Sequence, residues 1–206
     1  MACDKSIELT ESTRLPQSVN ERIPSYIIDK ADSFIISKTG PAFFYAYIKY
    51  DSSHTMYYPP DTFCIAHPSM CANFLRYGNY LIEYTFRIYE KPEIKGNIEF
   101  VMDSIGNIVL ERSPYGIPEC VSDSNNCLFK VDSSSAVAIA RQMGLEEGIK
   151  PWRTQFSWSA ITIKNYVWTV SNTLFDSAST MFGRNATIDA NSGAFLGFLN
   201  WGAFRN

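Results

Sequence analysis

Five cysteines and two histidines are the residues of this 206-residue chain with the most chemistry to offer. Four of the cysteines fall into two pairs of identical spacing, Cys64-Ile-Ala-His-Pro-Ser-Met-Cys71 and Cys120-Val-Ser-Asp-Ser-Asn-Asn-Cys127. Both segments are polar or contain proline, as loops do. The simplest chemistry is one local disulfide in each, and a short closure of this kind stabilises by roughly 2–3 kcal/mol on the chain-entropy account. Sequence alone does not choose among the possible connectivities, and four reduced, partly buried thiols are the alternative. Zinc is disfavoured, because the gaps exceed its ordinary ligand spacings. Oxidised pairs would place the protein outside the reducing cytoplasm.

His67 follows Cys64 at three residues, so a thiol nucleophile beside its base is one reading. Cys71 competes for the same sulfur and explains it better. A metal held by His54, His67 and Asp61 is a second reading, and two loop histidines without a role are the third. A Gly-x-Ser-x-Gly elbow, a phosphate-binding glycine loop, a His-Glu-x-x-His helix and a Cys-x-x-Cys pair are all missing. Asp103 and Asp189 are candidates for paired catalytic carboxylates. Each also precedes a glycine in its own hairpin, Gly106 and Gly193, and turn chemistry accounts for both, with the carboxylate accepting backbone N–H groups. No catalytic residue, metal or cofactor is therefore expected.

Aromatic residues make up 15% of the chain, enough for both a core and a contact surface. Alternating aromatics on a sheet are normally core, and most are assigned to packing. Phe43, Tyr45 and Tyr47, together with Tyr57 and Tyr58, form one candidate groove and Trp152, Trp158, Trp168 and Trp201 another. Tyr57 and Tyr58 precede Pro59-Pro60 and are the cluster expected to be exposed, since a double proline resists burial in a sheet. Tyr57, Tyr58, Trp152 and Trp158 are the candidate contacts for a protein, peptide or glycan. Asn185-Ala-Thr187 matches a glycosylation acceptor. A formal charge of -3 with scattered lysines and arginines argues against nucleic acid, which selects a basic stripe. The apolar runs are too short and too interrupted to span a bilayer.

These residues need elements to position them. Residues 1–24 read as a polar tether. Ser25 reads as the cap of a helix over 25–38, ended by Gly40 and Pro41. Residues 42–50 and 80–89 read as strands around a long insertion, 51–78, and the spans 97–103 and 107–112 as a hairpin turning at Ser104-Ile-Gly106. Residues 113–131 read as a linker. After it Ser133 and Ser134 offer caps to a helix with Ala136, Val137, Ala140 and Met143 on its apolar face. Strands follow at 153–159 and 164–171, then a short pair at 186–189 and 194–198. Each half thus reads as a helix and then a meander closed by an Asp/Gly hairpin, a degenerate repeat of two copies. The fold class is α+β, in two helix-plus-antiparallel-sheet units over 25–112 and 132–206.

The second unit resembles a PepSY module. Ser135-Ala-Val-Ala-Ile-Ala-Arg-Gln-Met143 is similar to that family's opening helix and Tyr166-Val-Trp-Thr-Val170 to its middle strand. Ile188-Asp-Ala-Asn-Ser-Gly-Ala-Phe-Leu196 is similar to its closing hairpin. The resemblance covers residues 132–199 and implies tandem cystatin-like units in an exported protein. It implies no catalytic residues, and an inhibitor or chaperone of an exported peptidase is the role it suggests. The N-terminus also resembles a bacterial lipoprotein: Ala2, then Cys3, then a polar stretch. That resemblance implies a lipid on Cys3 and a place in the periplasm or on the cell surface; a stray terminal cysteine is the alternative. A non-catalytic binding module at the cell envelope is the leading expectation, with a small hydrolase of unrecognised site as the reading from another class.

Overall fold

The computed structural model describes residues 23–67, 69, 78–110, 114–160 and 164–204. Cys3, Cys71 and nearly all of the 1–24 tether lie outside these residues.

Helix α1 (Ser25–Thr39) buries Ile27, Ala31, Ile35 and Thr39, a four-residue stride that keeps one stripe on the core. Pro24, not Ser25, occupies the N-cap, and no side chain caps this end. The Pro24 carbonyl itself takes the N–H groups of Ile27 and Ile28 at 3.0 and 3.4 Å, which leaves Ser25 inside the first turn. At the other end the Gly40 N–H donates to the Ile36 carbonyl at 2.8 Å.

The aromatic run 42–50, a strand by propensity, is instead helix α2 (Pro41–Tyr47) leading into strand β1 (Ile48–Tyr50). Pro41 presets φ at the first helical position, where a missing N–H costs little. Phe43 and Tyr47 then stand four residues apart and meet ring to ring at 5.2 Å, as helical neighbours do.

Strands β2 (Met56–Tyr58), β3 (Asn79–Arg87) and β4 (Lys95–Asp103) complete the first sheet. β3 is central: β4 runs along one side, and β1 and β2 share the other, end to end. The 51–78 region therefore holds β2, and also a short helix, α3 (Thr62–Ala66), capped by the Asp61 carboxylate. Of the expected strand 107–112, residues 107–110 are described, and they form a return arm after β4. It bridges β4 from Ile108 to Met102, with the Asp103 N–H donating to the Asn107 carbonyl at 2.9 Å and the Val109 N–H to the Val101 carbonyl at 2.8 Å.

Helix α4 (Ser133–Gln142) is capped by Asp132, not by Ser133 or Ser134. The Asp132 carboxylate accepts the Ser135 N–H at 2.7 Å and the Ser134 hydroxyl at 2.8 Å, and these bonds hold its pKa down to about 2. Ala136 and Ala140 are fully buried; side chains this small let the helix lie close on its sheet. That sheet contains β5 (Arg153–Ser159), β6 (Asn165–Ser171), β7 (Phe175–Asp176), β8 (Thr180–Asp189) and β9 (Phe195–Phe204). β5, β6, β8 and β9 lie in that order, with β7 also on β8. The closing pair is far longer than the expected 186–189 and 194–198, because glycines at 183 and 202 break the alternation without breaking the strands. All these pairings are antiparallel, and the chain is an α+β protein.

One hydrophobic core runs through both halves. It joins Ile35 of α1, Phe86 and Phe100 of the first sheet, and Ile117, Phe129 and Val131 of the connecting segment to Tyr166, Trp168 and Ile188 of the second sheet. Tyr166 stands at the seam. Its ring lies 4.9 Å from Phe86 and 4.9 Å from Phe156, and its hydroxyl donates to the Gly116 carbonyl at 2.8 Å. Burial pushes that hydroxyl far above its usual pKa, so it remains a donor. Cys120 and Cys127 are disulfide-bonded, Cα to Cα 5.4 Å, around a 3-10 turn at Ser124–Cys127. Cys64 is also disulfide-bonded.

Candidate functional site

Three parts of the chain meet beside α1 and line a cavity of about 510 Å³. The last turns of α1 contribute Phe34 and Lys38, the connecting segment Pro114, Tyr115, Ile117 and Glu119, and the β5–β6 hairpin Trp158, Ala160 and Lys164. Phe34 is fixed edge-on against Phe100 at 5.3 Å. The Tyr115 backbone exchanges two hydrogen bonds with Glu99 of β4, at 2.8 and 3.0 Å. The Tyr115 ring meets Trp158 at 6.3 Å, and Trp158 leans on Tyr166 at 5.0 Å. Lys38 pairs with Glu119 at 3.0 Å, both partly exposed; such a pair contributes less than about 1 kcal/mol. Lys164 holds a left-handed φ of 47°, uncommon for a residue with a β-carbon. No carboxylate among the described residues forms an ion pair with it. Aromatic walls with a few charged groups suit an apolar side chain or short chain carrying a carboxylate.

Of the four candidate contact residues, only Trp158 lines this cavity. Trp152 lies six residues earlier, about 20 Å away along an extended chain, where the Arg141 guanidinium covers its ring at 5.1 Å. Tyr57 and Tyr58 are half-buried on β2 rather than exposed, because β2 pairs with β3 before the prolines end it. Being adjacent in a strand, they point to opposite faces, and Tyr57 packs on Tyr80 at 5.0 Å. Trp168 is core, its indole N–H donating to the Val131 carbonyl at 2.8 Å. Trp201 donates to the Asn172 carbonyl at 3.2 Å. Tyr45 is exposed on α2. Asn185 sits inside β8, paired with β6 and β9. Sequence reasoning missed Phe34, Lys38, Tyr115 and Lys164 as companions of Trp158. The one local hint was an aromatic between two prolines, Pro114-Tyr115-Gly116-Ile117-Pro118.

Asp51, Ser53 and His54 form a Ser-His-Asp set, with the wrong geometry for catalysis. A hydrolase triad uses opposite ring nitrogens of its histidine for the carboxylate and the nucleophile. Here His54 Nδ1 faces both Asp51 Oδ2 at 2.8 Å and Ser53 Oγ at 3.1 Å, while the Ser53 hydroxyl also contacts Asp51 Oδ1 at 2.5 Å. The set locks the turn between β1 and β2. The Ser53 hydroxyl, then His54, holds the Asp51 pKa down from 3.8 to about 2, and Asp51 raises that of His54 above 6.5. The stabilisation tied to the raised His54 pKa is fully present below pH 6.5 and lost as pH rises through its folded value. That tied to Asp51 is present above pH 3.8 and lost as pH falls towards 2. The wild type should therefore lose thermal stability above pH 6.5 more steeply than His54→Ala, as read by melting temperature against pH. Parallel curves would remove the pair from the stability account.

His67 stacks on Phe63 at 4.4 Å at the end of α3, and Asp61 is engaged as that helix's cap. No three metal-ligating side chains gather among the described residues. Asp103 and Asp189 each end a strand and serve their own turns. Asp103 Oδ1 accepts the N–H groups of Ile105 and Asn107 at 3.0 and 2.7 Å. Asp189 Oδ1 accepts those of Asn191 and Ser192 at 3.0 and 2.6 Å. Gly106 and Gly193 follow with φ of 84° and 78°, the left-handed region such turns need. A second, polar cavity of about 480 Å³ lies between the Asp189 turn and the disulfide loop. Its floor is a latch: the buried Asn191 accepts the Phe129 N–H at 2.9 Å and donates to Asn165 at 3.2 Å.

Fold and site together define an α+β protein with two antiparallel sheets on one core and an amphipathic groove at their seam. No family model, curated protein or solved structure matches the chain.

Proposed function

We propose that this chain is a non-catalytic binding module of the cell envelope, exported and held to the membrane by a lipid on Cys3. Its groove at Trp158 takes an apolar side chain of a protein or peptide partner. The observation that carries this reading is the composition of the groove: Trp158, Tyr115 and Phe34 as walls, Lys38 and Lys164 among them, and no histidine, cysteine or serine among its described lining residues. Large rigid rings of this kind dominate binding energy in protein contacts. The disulfide between Cys120 and Cys127 supports an oxidising compartment.

We further propose that the halves are tandem cystatin/PepSY-like units. In support, each has a helix ahead of an antiparallel sheet, with an aspartate ending the penultimate arm and a glycine in the turn after it. In the first unit α1 holds that turn directly, Tyr26 and Lys30 donating to the carbonyls of Ser104 and Ile105, each at 2.6 Å. In the second, α4 lies beside it, Ile139 next to Gly193. The PepSY resemblance favours a second reading of the partner, an exported peptidase that the protein inhibits or chaperones.

The test is a peptide array carrying aromatic and aliphatic anchors, followed by titration of the best ligands. Trp158→Ala should weaken them by about 10- to 100-fold, and His54→Ala with His67→Ala should leave them unchanged. Equal binding by Trp158→Ala would remove the groove from the proposal. A glycan that competes with the peptides would change the partner's class. Hydrolytic turnover lost with His54 would make the protein an enzyme. Labelling with an alkyne-palmitate in a bacterial host, lost in Cys3→Ser, checks the anchor.

A further inference from the structure

Among the described residues the outer edge of β9 is open. Among the described strands β9 pairs only with β8, and its ten residues, Phe-Leu-Gly-Phe-Leu-Asn-Trp-Gly-Ala-Phe, include no charge and no proline. Edge strands ordinarily carry charge, proline or a bulge that blocks edge-to-edge pairing. The one irregularity here lies near the start, opposite Thr187 and Ile188, so the strand is regular from Gly197 to Phe204. Leu199 is 66% exposed and Phe204 87%. Over this stretch the edge is about 27 Å long, with outward N–H and C=O groups in alternation.

We propose that β9 pairs antiparallel with β9 of a second copy, about a two-fold axis at Asn200, joining the two second sheets edge to edge. The register follows from symmetry and side-chain size. Residues opposed in an antiparallel pair point to the same face. In a two-fold pair, if one residue faces another, the reverse also holds, so the axis passes through a residue that faces itself. With Asn200 on the axis, Phe198 faces Gly202, Leu199 faces Trp201 and Gly197 faces Ala203, each pair occurring twice. The large ring of Phe198 covers a glycine, and Trp201 meets Leu199. The two Asn200 amides face each other and can exchange hydrogen bonds, and no charge opposes a like charge. An axis at Leu199 sets Asn200 against Phe198, and an axis at Trp201 sets Asn200 against Gly202 while crowding two tryptophans together. Both waste the only polar side chain of the strand. A foreign strand would find the same backbone groups but not this matched set, which favours a second copy as the occupant.

Residues facing themselves in such a pair have Cα atoms about 4.5–5.5 Å apart, within the span a disulfide bridges, about 4.4–6.8 Å. The experiment uses the full chain carrying Cys3→Ser. With Asn200→Cys added, mild oxidation should give a covalent dimer on a non-reducing gel, at least ten-fold faster than with a control cysteine at the exposed Asn107. Sedimentation should show the unmodified chain as a dimer and Leu199→Lys, which puts two like charges beside the axis, as a monomer with an unchanged circular dichroism spectrum. A monomeric unmodified chain at tens of micromolar would overturn the proposal. So would a dimer that survives Leu199→Lys, or cross-linking through Asn200→Cys no faster than through Asn107→Cys.

Discussion

Tyr166→Ala will lower the free energy of unfolding by about 3–5 kcal/mol, the range for deleting a large buried ring. Tyr166→Phe will cost about 1 kcal/mol, the net value of one buried hydrogen bond. The ring is 1% exposed and is enclosed by Phe86, Phe129, Phe156 and Trp158, from both sheets and the segment between them. Its hydroxyl holds the Gly116 carbonyl. Gly116 has a φ of 77°, and a β-carbon there would collide with the Asn97 carbonyl, so the segment is packed closely on β4 beside the ring. Urea unfolding followed by far- and near-ultraviolet circular dichroism reads the effect. One coincident transition, moved to lower urea, is the expected result. A loss under 1 kcal/mol, or a second half that melts alone while the first stays folded, would contradict a shared core.

Replacing Cys120 and Cys127 together by serine will cost roughly 2–3 kcal/mol, the chain-entropy value for so short a loop. The loop is tied to its surroundings on both flanks: the Val121 N–H donates to the Lys38 carbonyl at 2.9 Å, and Phe129 N–H to Asn191. Releasing the staple loosens both, and with them Glu119, whose carboxylate pairs with Lys38 in the groove wall. The double variant should therefore also bind groove ligands less tightly, whereas adding reductant to it should change the fraction unfolded only through Cys64. Unchanged stability in the double variant would mean that packing of Ile117 and Phe129 already fixes the loop.

Local signals carried some of the architecture. The spacing of Cys120 and Cys127 announced their bond, and the Trp-, Thr- and Val-rich runs announced β5 and β6 to within a residue. The Asp-to-Gly interval marked both turns, because a carboxylate gathering N–H groups two to three residues on is local chemistry. Where the reading failed, position within the chain outweighed composition. Phe43 to Tyr47 have the propensity of a strand, yet Gly40-Pro41 restarts a helix just ahead of them. The closing strands read too short, because alternation is weak where Gly183 and Gly202 lack side chains. The groove was illegible for a different reason. Lys38, Tyr115 and Trp158 come from three separate parts of the chain, and no spacing rule reports a meeting that only tertiary packing creates.

The bonds of Tyr166 to Gly116 and Asn97 span 50 and 69 residues, which has a consequence for how the molecule matures. Contacts of such long sequence separation form late, since the intervening chain must first be closed into a loop. While the first half emerges from the ribosome, Phe86 and Ile117 have no ring from the second sheet to cover them. The nascent chain must wait, sticky and incomplete, until about four-fifths of it has been made. A protein that finishes folding only when its last strands arrive is well suited to being handed over unfolded, and poorly suited to being cut in two.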